Sequence, residues 1–213
     1  MTRIKLLFAL ACLLSVSLAC ALTPTATPTT LPPTDTPSGP TATPGECTIT
    51  ANSSLTIYNR PSKSAQEFST QGAGFSIQVT TRTADGWYGF DPGVAQAANT
   101  GVFRLRWIDS SDDVTLSGDC TGQPVVVGPQ PTICYEMPMG TVDVHASPDA
   151  SSAVTASLQT DDYAAILGKT SAEDWYELDL AQGNTGLSGT GWIGSVDLNM
   201  NGPTCDSIPV VTP

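Results

Sequence analysis

The residue types that could carry chemistry in this chain are one histidine, six cysteines and four tryptophans. His145 lies close to Asp143 in sequence, which suggests half of a catalytic dyad. Nucleophilic catalysis also needs a placed serine or cysteine, and pairing accounts for the cysteines of the folded part. We therefore expect a surface histidine, and we predict that the chain is not an enzyme and needs no cofactor.

Charge limits the possible partners of the chain. It has 20 acidic and 8 basic residues, for a net charge of −12. Such a field repels phosphate backbones, so no nucleic acid partner is expected. The acidic residues concentrate in residues 134–205, where Lys169 is the only basic residue. Several of these acids could in principle gather calcium, but they lack the alternation of an EF-hand loop. A solvated acidic face is the simpler interpretation, and no metal site is predicted.

The N-terminal 46 residues are predicted to lie outside the fold. Residues 1–20 begin with Arg3 and Lys5 and continue with an apolar run over 6–14 that is too short to span a bilayer, as in a signal peptide. Residues 21–46 are a low-complexity Thr/Pro linker with almost no large apolar side chain, so they cannot form a core. They are interpreted either as an extended spacer or as a disordered linker of no fixed length.

The end of the signal segment suggests an anchor. Residues 16–20 (VSLAC) resemble a bacterial lipobox, in which a lipidated cysteine, here Cys20, starts the mature chain. Ser17 stands where that pattern usually has leucine, and plain cleavage after Ala21 is the alternative. We expect an extracytoplasmic protein under either interpretation. It lies on the outer face of the bacterial cell membrane if Cys20 is lipidated, and is secreted otherwise.

The rest of the chain repeats itself. A cysteine, a loop proline, a Trp-Tyr pair, a second tryptophan and a second cysteine recur with closely matching separations, at Cys47, Pro61, Trp87, Trp107 and Cys120 and again at Cys134, Pro148, Trp175, Trp192 and Cys205. Two copies of one unit explain this recurrence. We place them at 47–120 and 134–205, with a Pro/Gly linker at 121–133 and a tail at 206–213.

Within each copy the apolar residues alternate with period two, as in residues 55–58, 75–79 and 176–180. This period predicts short strands separated by Gly, Asn, Asp and Ser turns, and no segment has the period of a helix. The sequence therefore predicts an all-β chain of two tandem small barrels.

The cysteines are predicted to clamp these units. A unit of about 70 residues buries little surface, so a covalent link near its ends makes physical sense. The C-x-x-C spacing typical of zinc and redox sites is absent from the sequence. We predict the pairs Cys47–Cys120 and Cys134–Cys205, with Cα atoms about 4.4–6.8 Å apart, in an oxidising compartment. Swapped pairing between the copies is the alternative.

Both copies resemble the bacterial SH3-like (SH3b) domain family, whose units combine an early strand ending in a loop proline, a W-[FY] strand and a closing G-W-[IV] strand. The matching segments are 55–61, 86–90 and 106–108 in the first copy and 142–148, 174–178 and 191–193 in the second. The resemblance implies SH3-like barrels that recognise cell-wall peptides or other extracellular chains and are not catalytic. The chain departs from the pattern at Arg106, at Arg60 against Ser147, and in the longer loops 91–100 and 181–190.

Strand parity indicates which aromatic residues face solvent. Trp175 shares a strand face with Glu177 and Asp179, so it is predicted to be at least partly exposed, while Tyr176, Leu178 and Leu180 face inward. The same parity turns Trp87 outward and Tyr88 and Phe90 inward. Trp107 has the parity of the core, and the facing of Trp192 stays open.

An exposed tryptophan can anchor a peptide or stack on a sugar, or it can simply cover the barrel. The candidate ligand-binding residues are Tyr58, Trp87, His145, Trp175 and Trp192. The leading hypothesis is an exported, membrane-anchored surface module that binds a cell-envelope peptide or glycan. The alternative is a structural spacer without a ligand. A divergent wall hydrolase is least favoured, because one histidine completes no known catalytic constellation.

Overall fold

The computed structural model describes residues 45–96 and 98–213. The predicted signal peptide 1–20, its Cys20, and all but the last two residues of the predicted linker 21–46 lie outside the described residues. The described residues belong to one compact unit, within which two halves can be distinguished.

The first half consists of short antiparallel strands. Alternate side chains of its first two strands are buried, as expected when one face of a strand packs on a core. The strands form two sheets, with orders β4-β1-β8 and β3-β2-β7-β6-β5. They are β1 Cys47–Ala51, β2 Leu55–Tyr58, β3 Glu67–Gln71, β4 Ser76–Val79, β5 Thr81–Arg82, β6 Trp87–Phe90, β7 Arg106–Asp109 and β8 Val114–Gly118.

The second half forms one seven-stranded antiparallel sheet with order β11-β10-β14-β13-β12-β9-β15. Its strands are β9 Tyr135–Glu136, β10 Val142–His145, β11 Val154–Leu158, β12 Ala164–Lys169, β13 Trp175–Gly183, β14 Thr190–Gly194 and β15 Met200–Asn201. In β13 the predicted parity is confirmed: Tyr176, Leu178 and Leu180 are buried, and Trp175 is half-buried.

The two halves share one pattern of strand pairing. β1 lies between β4 and β8, and β9 lies between β12 and β15. β7 pairs with β2 and β6, and β14 pairs with β10 and β13. Even single positions correspond, since Tyr58 pairs with Trp107 and His145 pairs with Trp192. The recurrence seen in the sequence is therefore also a recurrence of strand pairing.

The pairing extends past the last cysteine of each half. Val125 forms a parallel bridge with Arg82, and Val210 forms one with Lys169. Both valines follow a cysteine with the spacing C-x-x-x-P-V-V, at 120–126 and 205–211. Parts of the predicted linker and tail thus add a short edge strand to the half that precedes them.

The described residues contain no α-helix, and their helical segments are three short 3-10 turns, Gly101–Arg104, Ser195–Asp197 and Cys205–Ser207. Among these residues no helix is long and apolar enough to cross a membrane. The prediction of an all-β fold is confirmed for the described part of the chain.

Both predicted disulfides are present. The Cα atoms of Cys47 and Cys120 are 4.7 Å apart, and those of Cys134 and Cys205 are 5.0 Å apart. Each bond closes one half on itself, next to its core cluster. Two disulfides of this kind indicate a non-cytoplasmic, oxidising environment for the chain.

A third apolar cluster joins the halves. Phe103 of the first half meets Tyr135 and Tyr163 of the second in edge-to-face contacts, with ring centroids 5.8 Å and 5.2 Å away. Met137 and Ala165 complete the buried cluster. The sequence did not predict this cluster, which makes the two halves neighbours with a shared core.

Candidate functional site

Each half carries one aromatic pair at the same place in its sheet. Tyr58 ends β2 and Trp87 begins β6, and their ring centroids are 5.7 Å apart at 85°. His145 ends β10 and Trp175 begins β13, and their centroids are 5.3 Å apart at 82°. The structure thus brings together four of the five predicted site residues as two matching pairs.

A threonine fixes the start of each tryptophan strand. The backbone N–H of Trp87 donates to the Thr83 hydroxyl at 3.0 Å, and that of Trp175 donates to the Thr170 hydroxyl at 3.3 Å. The N–H of each threonine donates in return to the carbonyl of its tryptophan. These reciprocal bonds set the turn before the strand and therefore the direction in which each indole leaves the sheet.

The prediction that Trp87 faces solvent is wrong. It is 7% exposed, and the ring of Tyr58 packs against it. Trp87 lines a cavity of ≈ 600 Å³ whose other wall is residues 125–131. The approach is close enough that a Cβ on Gly128 would lie 2.3 Å from Pro61 Cγ. Strand parity correctly turned the ring away from the barrel core, but it carries no information about what lies on that side.

The other tryptophans differ from one another in burial. Trp175 is half-buried, as predicted. Trp107 is fully buried, but it lies outside the first-half core cluster, which its strand neighbour Ile108 joins. Trp192, whose facing the sequence left open, is 6% exposed. Trp87 and Trp192 therefore offer little surface to a ligand, and Trp175 is the tryptophan of the candidate set with an accessible face.

A groove of ≈ 390 Å³ opens beside the second aromatic pair. We call it the second-half groove and define it by six of its lining residues, Asp143, His145, Ala150, Trp175, Val196 and Asp197. Val196 is 92% exposed at its rim. The groove combines an aromatic wall, an exposed aliphatic side chain and two carboxylates, which suits a ligand with apolar and cationic parts.

The described contacts of His145 are a backbone carbonyl and an aromatic ring. Its Nδ1 lies 3.3 Å from the Ser152 carbonyl oxygen, and its ring is half-buried against Trp175. The carboxylate of Asp143 accepts a hydrogen bond from the Ser157 hydroxyl at 2.8 Å. His145 is thus held as an aromatic partner of Trp175.

The acidic residues of the second half are dispersed. Among residues 45–96 and 98–213, no group of three or more His, Cys, Asp or Glu side chains is placed to hold a metal ion. Asp161 and Glu173 have positive φ angles of 77° and 59° and lie in turns. These carboxylates mark the turns and edges of the sheet.

Arg60 was not predicted as a structural residue. It is 6% exposed, and its guanidinium donates to the carbonyls of Gln130 and Ile133 and to both oxygens of Asn201. It also lies 5.5 Å from the centroid of the Phe103 ring. Burial lowers the pKa of Arg60. The signal was present in the sequence, because Arg60 is replaced by Ser147 in the second copy.

Glu136 is another buried charge-bearing residue that sequence analysis did not single out. It is 0% exposed, and its Oε2 accepts a hydrogen bond from the Asn199 N–H at 2.8 Å. Its Oε1 has no partner among the described residues. Burial raises the pKa of Glu136 to about 8, and the nearby Asp197 adds to the effect. The first copy has the apolar Ile49 at this position, so the sequence signalled burial but not its electrostatic consequence.

The comparisons with known proteins leave this geometry to be interpreted by itself. No protein-family model matches the sequence, and the search of curated proteins finds no match.

Proposed function

We propose that this chain is an exported surface protein that binds a cell-envelope peptide or glycan through the second-half groove. The observation that carries the proposal is the half-exposed pair of His145 and Trp175, which forms one wall of a groove with exposed Val196 at its rim. Rigid aromatic side chains with one free face are the usual anchors of such contacts.

We further propose that each half is an SH3-like barrel. The motif order in the sequence and the matching strand pairings of the two halves support this proposal. The first half has the same aromatic pair, but its tryptophan is buried. In this proposal the first half therefore acts mainly as a support, and the second half is the recognition module.

Export is proposed from the signal-like segment 1–20 and agrees with the two disulfides. Lipidation of Cys20 would anchor the protein to the outer face of the cell membrane, and the Thr/Pro segment would hold the two halves away from it. Without lipidation the protein is secreted. The proposal includes neither catalysis nor a cofactor.

Binding of the full chain to isolated cell envelope tests the proposal. Val196→Arg places a bulky charge at the rim of the groove, and because Val196 is 92% exposed the substitution leaves the core packing unchanged. We expect this variant to lose binding. The matched control is Val94→Arg at a valine of the first half that is 47% exposed, and this variant should bind as the parent does. Equal binding by both variants would remove the groove from the function.

A structural spacer is the second candidate, favoured by the burial of Trp87 and Trp192. In that case Trp175 only covers the barrel. Substitution of Trp175 by leucine would then lower thermal stability, while no envelope fraction would bind the parent chain in preference to an unrelated acidic protein. Acrylamide quenching that finds Trp175 as protected as Trp107 would favour the spacer.

A further inference from the structure

The first half places the solvent-exposed ammonium group of its own Lys63 at the position that corresponds to the groove of the second half. Lys63 Nζ lies 3.2 Å from Asp109 Oδ2 and 2.9 Å from Asp112 Oδ1. Lys63 and Trp87 line the same cavity. Its ammonium group therefore bridges two carboxylates beside the tryptophan of that half.

The loop that carries this lysine has the same backbone geometry in both halves. The N–H of Ala65 donates to the Ser62 carbonyl at 3.0 Å, and the N–H of Ser152 donates to the Asp149 carbonyl at 2.9 Å. Lys63 follows Ser62, and Ala150 follows Asp149. Ala150 is therefore the counterpart of Lys63.

The loop that carries the carboxylates also corresponds. Ser110 donates its N–H to the carbonyl of the turn before β6 at 3.0 Å, and Ser195 does the same before β13 at 2.9 Å. Asp112 and Asp197 follow these serines at equal distance in the sequence. The second half thus keeps one of the two carboxylates, and Asp143 adds another to the same groove.

The second half has no counterpart of the Lys63 ammonium group, but it retains carboxylates beside its tryptophan. Among the described residues no Lys, Arg or His forms an ion pair with Asp197 or Asp143. The one lysine of this half, Lys169, is bound to Glu173 at 2.7 Å. The groove therefore presents two carboxylates and an aromatic wall to solvent, where the first half places an ammonium group.

We propose that the second-half groove binds the lysine side chain of an extracellular peptide. The ammonium group lies between Asp197 and Asp143, and the aliphatic stem lies along Trp175 and Val196. A compact ammonium on a flexible stem fits this arrangement, as Lys63 does in the first half. The inference rests on the proposed function and names its ligand class.

The test is an NMR titration of the full chain with the acetylated and amidated peptide Gly-Gly-Lys-Gly-Gly, read at the indole N–H of Trp175. Two control peptides carry Nε-acetyl-lysine or norleucine in place of lysine. We expect the lysine peptide to bind about tenfold more tightly than either control, and added salt to weaken its binding. Asp197→Asn should weaken binding by about threefold to fivefold.

Two exchanges between the halves make the test specific. Ala150→Lys should fill the groove with an internal ammonium and abolish binding of the peptide. Lys63→Ala should free Asp109 and Asp112 and create a second, weaker site that is read at the indole of Trp87. Neither position is buried in the core, so both variants should fold.

Equal affinity for the lysine and norleucine peptides, or no binding of the lysine peptide, would overturn the inference. Unchanged binding by Ala150→Lys would overturn it as well. These outcomes are separate from failure of the proposed function, which is read from envelope binding by Val196→Arg. If the chain binds envelope but does not distinguish the lysine peptide from the norleucine peptide, the proposed function stands and the lysine ligand class is wrong.

Discussion

At the scale of single residues, the molecule places charged groups where burial changes their behaviour. Arg60 is buried with four oxygen acceptors around its guanidinium. Glu136 is buried with one partner for two oxygens. A carboxyl group in such a site is neutral over much of the physiological pH range, since burial disfavours its charged form.

The raised pKa of Glu136 predicts a pH-dependent stability. Its folded-state value of about 8 exceeds the reference value of 4.5, so the folded chain keeps a proton that the unfolded chain releases. The stabilising effect is complete below the unfolded value and is lost as pH rises toward the folded value. Between pH 5 and 8 we expect the free energy of unfolding to fall relative to Glu136→Gln by about 1 kcal/mol per pH unit. Urea denaturation of the parent chain and of Glu136→Gln at several pH values measures this difference.

The matched control is Glu177→Gln, at a half-buried position on the face of β13 that points away from the core. Its stability should follow that of the parent chain with pH. If the free energy of unfolding of Glu136→Gln has the same pH dependence as that of the parent chain, Glu136 is ionised in the folded state, which contradicts the prediction.

At the scale of elements, the segments that follow Cys120 and Cys205 act as strands. Val126 donates its N–H to the Arg82 carbonyl at 2.8 Å, and Val211 donates to the Lys169 carbonyl at 2.9 Å. In the first half this pairing directs residues 125–131 along the cavity that Trp87 lines. The edge strand and one wall of that cavity are thus consequences of one backbone path.

Proline at position 126 tests this path. Val126→Pro removes the N–H that bonds to Arg82, so we expect a loss of about 1–3 kcal/mol in stability. The amide of Arg82, which donates to the Pro124 carbonyl at 2.9 Å, should exchange faster with deuterium. Val126→Ala keeps the N–H and should retain the protection of Arg82. Equal protection in the two variants would show that the edge strand does not form.

At the scale of the whole molecule, the halves are joined by an apolar cluster and by Arg60. Phe103 projects from the 3-10 turn Gly101–Arg104 into the cluster. Polar contacts surround it, such as the bond from Asn199 Nδ2 to the Ala98 carbonyl at 2.8 Å. The halves therefore stabilise each other in addition to folding around separate cores.

Removal of the Arg60 guanidinium should uncouple the halves. Arg60→Ala leaves buried carbonyl oxygens without donors, and we expect it to cost about 2–4 kcal/mol and to split the thermal transition into two. Arg104→Ala is the control, because Arg104 forms an exposed ion pair with Asp91 and should cost less than about 1 kcal/mol. Calorimetry measures both. A single transition at the parent temperature for Arg60→Ala would show that the halves unfold together without any contribution from this residue.

The disulfides should act on the half that each one closes. They span 73 and 71 residues, and loops of this length contribute about 4–5 kcal/mol on the chain-entropy model. Replacement of Cys47 and Cys120 by serine should destabilise the first half directly and the second half only through the contacts that join them, so the second half should remain folded when the first half melts. Near-UV circular dichroism and peptide mapping measure this. Collapse of both halves in the variant would contradict this expectation. So would a disulfide-linked peptide of the parent chain that joins Cys47 to Cys134.

Sequence reasoning was sufficient for features that depend on near neighbours and on recurrence. The alternation in β13 predicted that Leu178 faces the core and Trp175 does not, because successive side chains of a strand point to opposite faces. The matched spacings predicted the cysteine pairs and the common pairing pattern of the halves. A further recurrence was not used in the sequence analysis. The pattern C-x-x-x-P-V-V begins at both Cys120 and Cys205, and its valines form the edge strands.

Burial that comes from distant segments was decided only by the tertiary structure. Trp87 is 7% exposed and shares a cavity with residues 125–131, whose position cannot be read from the strand parity of β6. Arg60 and Phe103 are buried against the other half, and of the two only Arg60 is marked in the sequence as a departure from the repeat. The open groove at Trp175 follows from the same cause, because the residue opposite it is Ala150 and the described chain lays no segment across it. Strand identity is a local property of the backbone, whereas exposure depends on everything that packs nearby.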